Sequence, residues 1–144
     1  LLLKRPDVRR QLTKNPDLIE TAIDEFLRFE SPNQLGNRTT TREVTLGSVV
    51  IPANTVLTLC IGAANRDPEV FRSPEKLMIS RLPNAHLAFG SGVHTCAGLN
   101  IARLEGREAI LRLIQRFPRL SLDRQPTRAL RARFRGYEAI PVRR

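Results

Sequence analysis

The sequence predicts a fold of the α+β class, mainly helical with small β-sheets, and two patterns support this prediction. Apolar residues recur at helical spacing over 15–31 and 97–117, whereas 42–60 holds β-branched or apolar runs separated by turn residues. The 144 residues are enough for one modest domain with a core of limited size. We therefore treat residues 1–144 as one structural unit.

Two helices are predicted before residue 32. Residues 7–13 favour a short helix, and a second helix starts with Asn15 as its cap and Pro16 at its first position. Ser31 and Pro32 end it, because the residue before a proline is biased out of the helical region. The apolar stripe of the second helix consists of Leu18, Ala22, Ile23, Phe26 and Leu27.

A β-rich segment follows, in which residues 47–48 and 52–54 supply the turns. The strand candidates are 44–46, 49–51 and 55–60. Residues 62–66 are expected to form one helical turn. No periodicity persists over 67–95, and a loop of this length in a compact domain is often functional.

Residues 97–117 give the strongest helical pattern in the chain, and Pro118 follows its end. Its predicted apolar face consists of Leu99, Ala102, Gly106, Ile110, Leu113 and Phe117. Gly106 costs roughly 1 kcal/mol against alanine within a helix, and the close approach of another helix is the simplest explanation. Short strand candidates follow at 120–122, 130–134 and 139–142.

The net charge is +10, and arginine predominates among the basic residues. A basic surface attracts acidic partners, either nucleic acid or an acidic protein. No zinc-finger or RNP signature is present, and one tyrosine with no tryptophan leaves few stacking platforms for bases. We therefore expect no nucleic-acid partner; steeply salt-dependent DNA binding would instead support a basic nucleic-acid-binding protein.

Two cysteines, Cys60 and Cys96, form neither a disulfide framework nor a C-x-x-C pair, which favours a reducing, cytoplasmic location. The sequence has no run of ~18 apolar residues, so no membrane segment is expected. The apolar run at the start of the chain is too short for the apolar region of a signal peptide. Because the chain begins with leucine, we expect an N-terminal portion to be absent.

Cys96 ends a glycine-rich loop, and the strongest predicted helix follows directly. A helix N-terminus favours a thiolate, and glycines let the backbone approach a flat ligand. A buried structural cysteine is the simpler alternative for a lone thiol. The spacing F-x-x-G-x-H-x-C-x-G is far more specific, and it is made by Phe89, Gly92, His94, Cys96 and Gly98.

This loop resembles the haem-ligand loop of the cytochrome P450 family at every defining position. The resemblance implies that Cys96 is the thiolate ligand of a haem b iron, with Phe89, Gly90 and Gly98 around it. It also implies the C-terminal, haem-binding portion of the P450 fold, about the last third of a family member. Cys60 lies in an apolar strand without a glycine loop and is not expected to bind iron.

Glu25 and Arg28 are three residues apart on the second predicted helix and share a face. Glu69 and Arg72 show the same spacing, and a surface ion pair worth about 0–1 kcal/mol is the simpler interpretation. The position of Glu25 and Arg28, about seventy residues before the cysteine loop, looks like the E-x-x-R helix of the family. The resemblance implies that Arg81 completes this network.

The family binds the haem propionates with basic side chains. The resemblance implies this role for His94, which occupies the matching position of the motif. Arg38 matches the family more loosely, and His86 is a weaker candidate. Phe89 is expected beside the sulfur, where it would limit water and tune the iron potential.

The resemblance implies a bacterial-type haem-thiolate monooxygenase whose intact form inserts one oxygen atom of O₂ into a small organic substrate. Electrons would come from an acidic, ferredoxin-like redox partner that docks near Arg103, Arg107 and Arg112. The distal helix with its acid–alcohol pair is not in this sequence, so the chain alone is expected to be inactive. A truncated, non-catalytic haem-binding remnant is the alternative.

Overall fold

The computed structural model describes residues 1–144, which form four α-helices and eight short β-strands. The helices are α1 (Pro6–Lys14), α2 (Ile19–Glu30), α3 (Ile61–Ala64) and α4 (Leu99–Arg116). The first four strands are β1 (Gly36–Thr39), β2 (Val44–Leu46), β3 (Val49–Ile51) and β4 (Val56–Leu59). The last four are β5 (Ser121–Leu122), β6 (Thr127–Arg128), β7 (Tyr137–Ala139) and β8 (Val142–Arg143).

The strands form four separate two-stranded antiparallel sheets, which pair β1 with β4, β2 with β3, β5 with β8, and β6 with β7. In the first sheet Arg38 lies opposite Leu57, and Gly36 lies opposite Leu59. Helices with small sheets confirm the predicted α+β class. No helix of the chain combines the length and the apolar character that a membrane crossing requires.

The hydrophobic core lies where α1, α2 and α4 meet the long loop before the cysteine. Its buried members are Val8, Leu12, Ile19, Ala22, Ile23, Leu77, Ile79 and Ile114. A Cβ added at Gly106 would lie 3.2 Å from Cδ1 of Ile23, so α2 and α4 approach closely at this glycine. The close helix approach predicted from Gly106 is therefore confirmed.

The second helix differs slightly from its sequence prediction at its start. A 3₁₀ turn over Pro16–Leu18 precedes α2, and the side chain of Asn15 makes no capping hydrogen bond. The backbone carbonyl of Asn15 accepts the Leu18 N–H instead, at 3.3 Å. Ser31 ends the helix as predicted, and it does so in the left-handed conformation with φ of 44°.

The strands differ from the sequence prediction at three places. Strand β1 was not expected, because Gly-Asn-Arg-Thr has little strand propensity; pairing with β4 overrides it. The candidate at 130–134 is irregular apart from a single bridge between Phe134 and Asn33. The candidate at 139–142 divides between β7 and β8, since Pro141 interrupts it.

The apolar face of α4 is also shifted from its prediction. Leu113 is 40% exposed, whereas its neighbour Ile114 is 6% exposed and joins the core. The 3.6-residue period places both residues near the edge of the stripe, so packing against α1 and α2 decides which one is buried.

Candidate functional site

Glu25 lies at the centre of a buried ion-pair network with Arg28 and Arg81. Glu25 and Arg28 are fully buried, and Arg81 is 7% exposed. Arg28 donates to both Glu25 oxygens, from Nε at 2.7 Å and from Nη2 at 2.8 Å. Arg81 Nε donates to Oε2 at 3.0 Å. The structure thus brings these three side chains into direct contact across 56 residues of sequence.

The Glu25 carboxylate also receives two donors from the long loop. The Met78 N–H donates to Oε1 at 2.8 Å, and Asn84 Nδ2 donates to Oε2 at 3.2 Å. Burial by itself raises the pKa of Glu25, but the hydrogen bonds from Arg28 and Met78 and the charges of both arginines outweigh it. The net effect lowers the pKa of Glu25 below its ordinary value.

The remaining donors of the two arginines hold the loop that follows α3. Arg28 Nη1 donates to the carbonyls of Asn65 at 2.8 Å and Pro74 at 3.0 Å. Arg81 Nη1 donates to the carbonyl of Arg72 at 2.8 Å. A segment without periodic secondary structure is therefore fixed by charged side chains that bind its backbone.

Asn65 is a fully buried residue whose importance the sequence analysis missed. Its Nδ2 donates to Oγ of Ser31 at 2.8 Å, and its Oδ1 accepts the Leu87 N–H at 2.7 Å. The amide thus joins the end of α2 to the residues just before Phe89. Only its place beside the Asp67-Pro68 turn sets it apart in the sequence, and that signal does not reveal these partners.

Five of the expected site residues line one cleft of about 880 Å³ between β1, α3 and the cysteine loop. They are Arg38, Phe89, Gly90, His94 and Cys96. Gly98 lies behind the sulfur, where an added Cβ would be 3.9 Å from Cys96 Sγ. Cys60 lines the same cleft from the residue between β4 and α3, and both cysteines are free and exposed.

The cysteine loop is held by its own backbone. The Cys96 N–H donates to the Phe89 carbonyl at 2.8 Å, and the Thr95 N–H donates to the Gly92 carbonyl at 3.0 Å. Gly90 has φ of 74° and Gly92 has φ of 63°, in the left-handed region that favours glycine. A Cβ at Gly90 would lie 3.1 Å from the His94 carbonyl oxygen. The loop therefore presents Cys96 three residues before α4 begins.

The cleft has two free thiols, basic side chains and no acidic lining residue. Arg38 makes one hydrogen bond, from Nη1 to the Asn37 carbonyl at 2.8 Å, and forms no ion pair. Leu59 and Ile61 give part of the wall an apolar character. These features fit a flat apolar group that carries anionic substituents and a metal with affinity for thiolate, as haem does.

His86, the weaker candidate for a propionate partner, does not line this cleft. Its side chain is 3% exposed, and its Nε2 lies 3.3 Å from Oδ1 of Asp24. The structure therefore gives no support for His86 as a propionate partner, since its imidazole contacts Asp24 on α2 instead.

The arginines expected to bind a redox partner already have acidic partners within the chain. Arg103 pairs with Asp24 at 2.8 Å, and Arg107 pairs with Glu20 at 3.1 Å. Arg112 lies 3.4 Å from Glu108. Their net contribution to a basic docking surface is accordingly smaller than the sequence indicates, since a paired charge has a weaker long-range field.

Comparison with known proteins gives consistent matches over the whole chain. The family model described as Cytochrome P450 matches residues 4–132. The chain is 43% identical over 142 residues to the biotin biosynthesis cytochrome P450 of Bacillus subtilis (strain 168), covering 98% of this chain and 36% of that protein. It is 44% identical over 147 residues to cytochrome P450 107B1 of Saccharopolyspora erythraea, covering 99% and 36%.

Solved structures agree with the sequence matches. The crystal structure of P450BioI in complex with hexadec-9Z-enoic acid ligated acyl carrier protein superimposes with a TM-score of 0.95 at 42% identity, covering 98% of this chain and 37% of that chain. The chain thus spans about a third of the length of these relatives. The fold, the family match and these identities together establish that the chain belongs to the cytochrome P450 family.

Proposed function

We propose that this chain is the haem-binding portion of a monooxygenase and that Cys96 is the axial thiolate ligand. The observation that carries the proposal is the shared cleft, in which the free thiol of Cys96 lies together with Arg38 and His94 and no carboxylate. Haem b, when bound there, supplies the iron at which O₂ is activated for transfer of one oxygen atom to an organic substrate.

The residues of the chain fix, charge and shield that ligand. Cys96 lies just before the N-terminus of α4, whose positive dipole end stabilises a thiolate. Phe89 lines the same cleft, where with haem bound it would limit the access of water to the sulfur. Arg38 would hold the anionic edge of the bound group through charge-assisted hydrogen bonds, and His94 would donate a further hydrogen bond to it.

We further propose that the network of Glu25, Arg28 and Arg81 holds the cleft in shape rather than taking part in the reaction. It binds the backbone carbonyls of Asn65, Arg72 and Pro74, and Asn65 directly follows Ala64, which lines the cleft. Its loss should therefore reduce haem content together with stability, and not turnover alone.

The substrate is proposed to be a small organic molecule, and the electron donor an acidic, ferredoxin-like protein. The acyl carrier protein bound by P450BioI makes a carrier-bound acyl chain a second candidate substrate. An acidic donor fits the net charge of +10. The cytoplasmic location stays a prediction.

The ligand assignment is tested by the absorption spectrum of the reduced, carbon-monoxide-bound haem protein. The red-shifted band of a thiolate ligand should be present in the parent chain and absent in Cys96→Ser. Cys60→Ser is the matched control, since Cys60 lines the same cleft and should leave the band unchanged. A band that persists in Cys96→Ser would overturn the assignment.

Activity of the chain alone is a separate question. We propose that the 144 residues bind haem without oxygenating a substrate, because the cleft is open and a dry site favours productive chemistry. The measurement is oxygenated product formed per electron consumed, with haem, a reducing system and a panel of fatty acids. Coupled product formation would contradict this proposal and exclude the non-catalytic remnant.

A further inference from the structure

Phe89 is held between two polar side chains that come from different parts of the chain. The imidazole of His86 lies with its centroid 6.0 Å from the Phe89 ring centroid, tilted by 49°. The guanidinium of Arg103, on α4, lies 5.4 Å from the same ring centroid. A cation at this distance from an aromatic ring is attracted by the ring's quadrupole.

One carboxylate fixes both of these flanking groups. Oδ1 of Asp24 accepts a hydrogen bond from Arg103 Nε at 2.8 Å and lies 3.3 Å from His86 Nε2. Its Oδ2 accepts from Arg103 Nη2 at 3.3 Å. His86 is tied at its other nitrogen as well, because Nδ1 accepts the Ala88 N–H at 3.2 Å. The imidazole and the guanidinium therefore cannot move independently of Asp24.

Phe89 is linked directly to the ligand loop through its backbone. The Phe89 carbonyl accepts the Cys96 N–H at 2.8 Å, and both residues line the same cleft. A shift of Phe89 would move this hydrogen bond and change how far the sulfur, already exposed in this chain, is open to water.

We propose that Asp24 is a positioning residue for the thiolate ligand: through His86 and Arg103 it holds Phe89, and through Phe89 it sets how far Cys96 is shielded. The proposal rests on the proposed function of Cys96. Asp24 itself lines a different cleft, next to Glu20 and Arg107, and it touches neither Cys96 nor the haem cleft. Its effect on the iron is therefore indirect.

The test compares reduction potentials of the haem-loaded protein with and without the Asp24 charge. Asp24→Asn should raise the iron potential, because added water at the sulfur weakens electron donation and stabilises the more negative reduced form. The thiolate band of the carbon-monoxide complex should shift or lose intensity in the same variant. Asp24→Glu should restore both signals, since the longer carboxylate can still reach Arg103.

The matched control is Glu20→Gln, which removes the other acid of α2 that pairs with an arginine of α4. Glu20 and Arg107 lie 3.1 Å apart and do not contact Phe89. We expect this variant to keep the parent potential and spectrum. Equal shifts in Asp24→Asn and Glu20→Gln would overturn the proposal, because they would reflect a general loss of α2–α4 pairing.

Arg103→Gln gives a second measurement if Asp24→Asn folds poorly, since the Arg103 side chain is 41% exposed. It should shift the potential in the same direction as Asp24→Asn. An unchanged potential in a folded, haem-loaded Arg103→Gln would overturn the proposal. A Cys96→Ser variant that retains the thiolate band would instead show that the proposed ligand is wrong, so the two failures are distinguishable.

Discussion

The Glu25 network and the Cys96 cleft use charged and polar side chains in opposite ways. Around Glu25 the arginines are buried, and protein groups take up their donors. In the cleft the thiol of Cys96 is exposed, and Arg38 makes a single hydrogen bond to a neighbouring carbonyl. The network is complete within this chain, whereas the cleft offers donors that a bound group would use.

This difference predicts that substitutions in the cleft weaken haem binding without loss of stability, whereas substitutions in the network reduce both. A buried ion pair becomes costly when one partner is removed, since the other charge is left uncompensated. An exposed side chain away from the core contributes little to folding. The following variants examine whether the two regions separate in this way.

The largest expected effect is that of Glu25→Ala. It leaves Arg28 and Arg81 buried without their counter-charge, so we expect a loss of about 3–5 kcal/mol in the free energy of unfolding. Urea unfolding followed by circular dichroism measures it. Glu20→Ala is the control, because the Glu20 side chain is 73% exposed and should cost little. A loss at Glu25 no larger than at Glu20 would contradict the network's role in stability.

A double-mutant cycle between Glu25 and Arg81 tests whether the network acts as one unit. Arg81 contacts Glu25 at 3.0 Å, so the two substitutions should be non-additive by about 0.5–3 kcal/mol. Additive losses would show that Arg81 stabilises the loop only through its backbone partners, Arg72 and Ser73.

Arg38→Gln should affect the cleft and leave the fold intact. Loss of a charge-assisted hydrogen bond costs about 1.5–3 kcal/mol, which corresponds to roughly 10- to 150-fold weaker haem binding. The unfolding free energy without haem should change by less than about 0.5 kcal/mol. Haem titration measures the first value, and Arg42→Gln, in the exposed turn after β1, is the control. Equal haem affinity in both variants would remove Arg38 from the site.

The stabilising contribution of the network should be lost in acid and should not change with pH near neutrality. The lowered pKa of Glu25 means that its stabilising contribution is present above the ordinary value of 4.5 and is lost as the pH falls through the folded-state pKa. We expect the free energy of unfolding to fall below about pH 4.5, with a shallower fall in Glu25→Gln. Identical pH profiles for the parent and Glu25→Gln would show that other carboxylates control acid unfolding.

The sequence predicted the elements with strong local signals and missed those that depend on tertiary contacts. The helices, the Gly106 contact and the positions of the cysteine loop follow from periodicity and glycine spacing. Strand β1 has no such signal, because it forms only by pairing with β4. This pairing places Arg38 in the lining of the cleft. The links made by Asn65 and Asp24 were also missed, since each joins residues more than twenty positions apart.

The smallest expected effect lies where the helix that carries Glu25 meets the helix that follows Cys96. Gly106→Ala gains roughly 1 kcal/mol of helix propensity, but its Cβ would lie 3.2 Å from Ile23 Cδ1. That methyl is the end of a flexible side chain that borders open clefts on both sides, so it can move. We therefore expect a net stabilisation of less than about 1 kcal/mol in urea unfolding.

Ile23→Val provides the control for this substitution, because it removes the Cδ1 methyl that limits the approach. If crowding is the opposing effect, Gly106→Ala should be more stabilising in the Ile23→Val background than in the parent, by a coupling energy that the cycle measures directly. A destabilisation of more than about 1 kcal/mol in both backgrounds would mean that α2 and α4 cannot separate by even a few tenths of an ångström. The network and the ligand helix would then form one rigid body, and the two regions could not be altered independently.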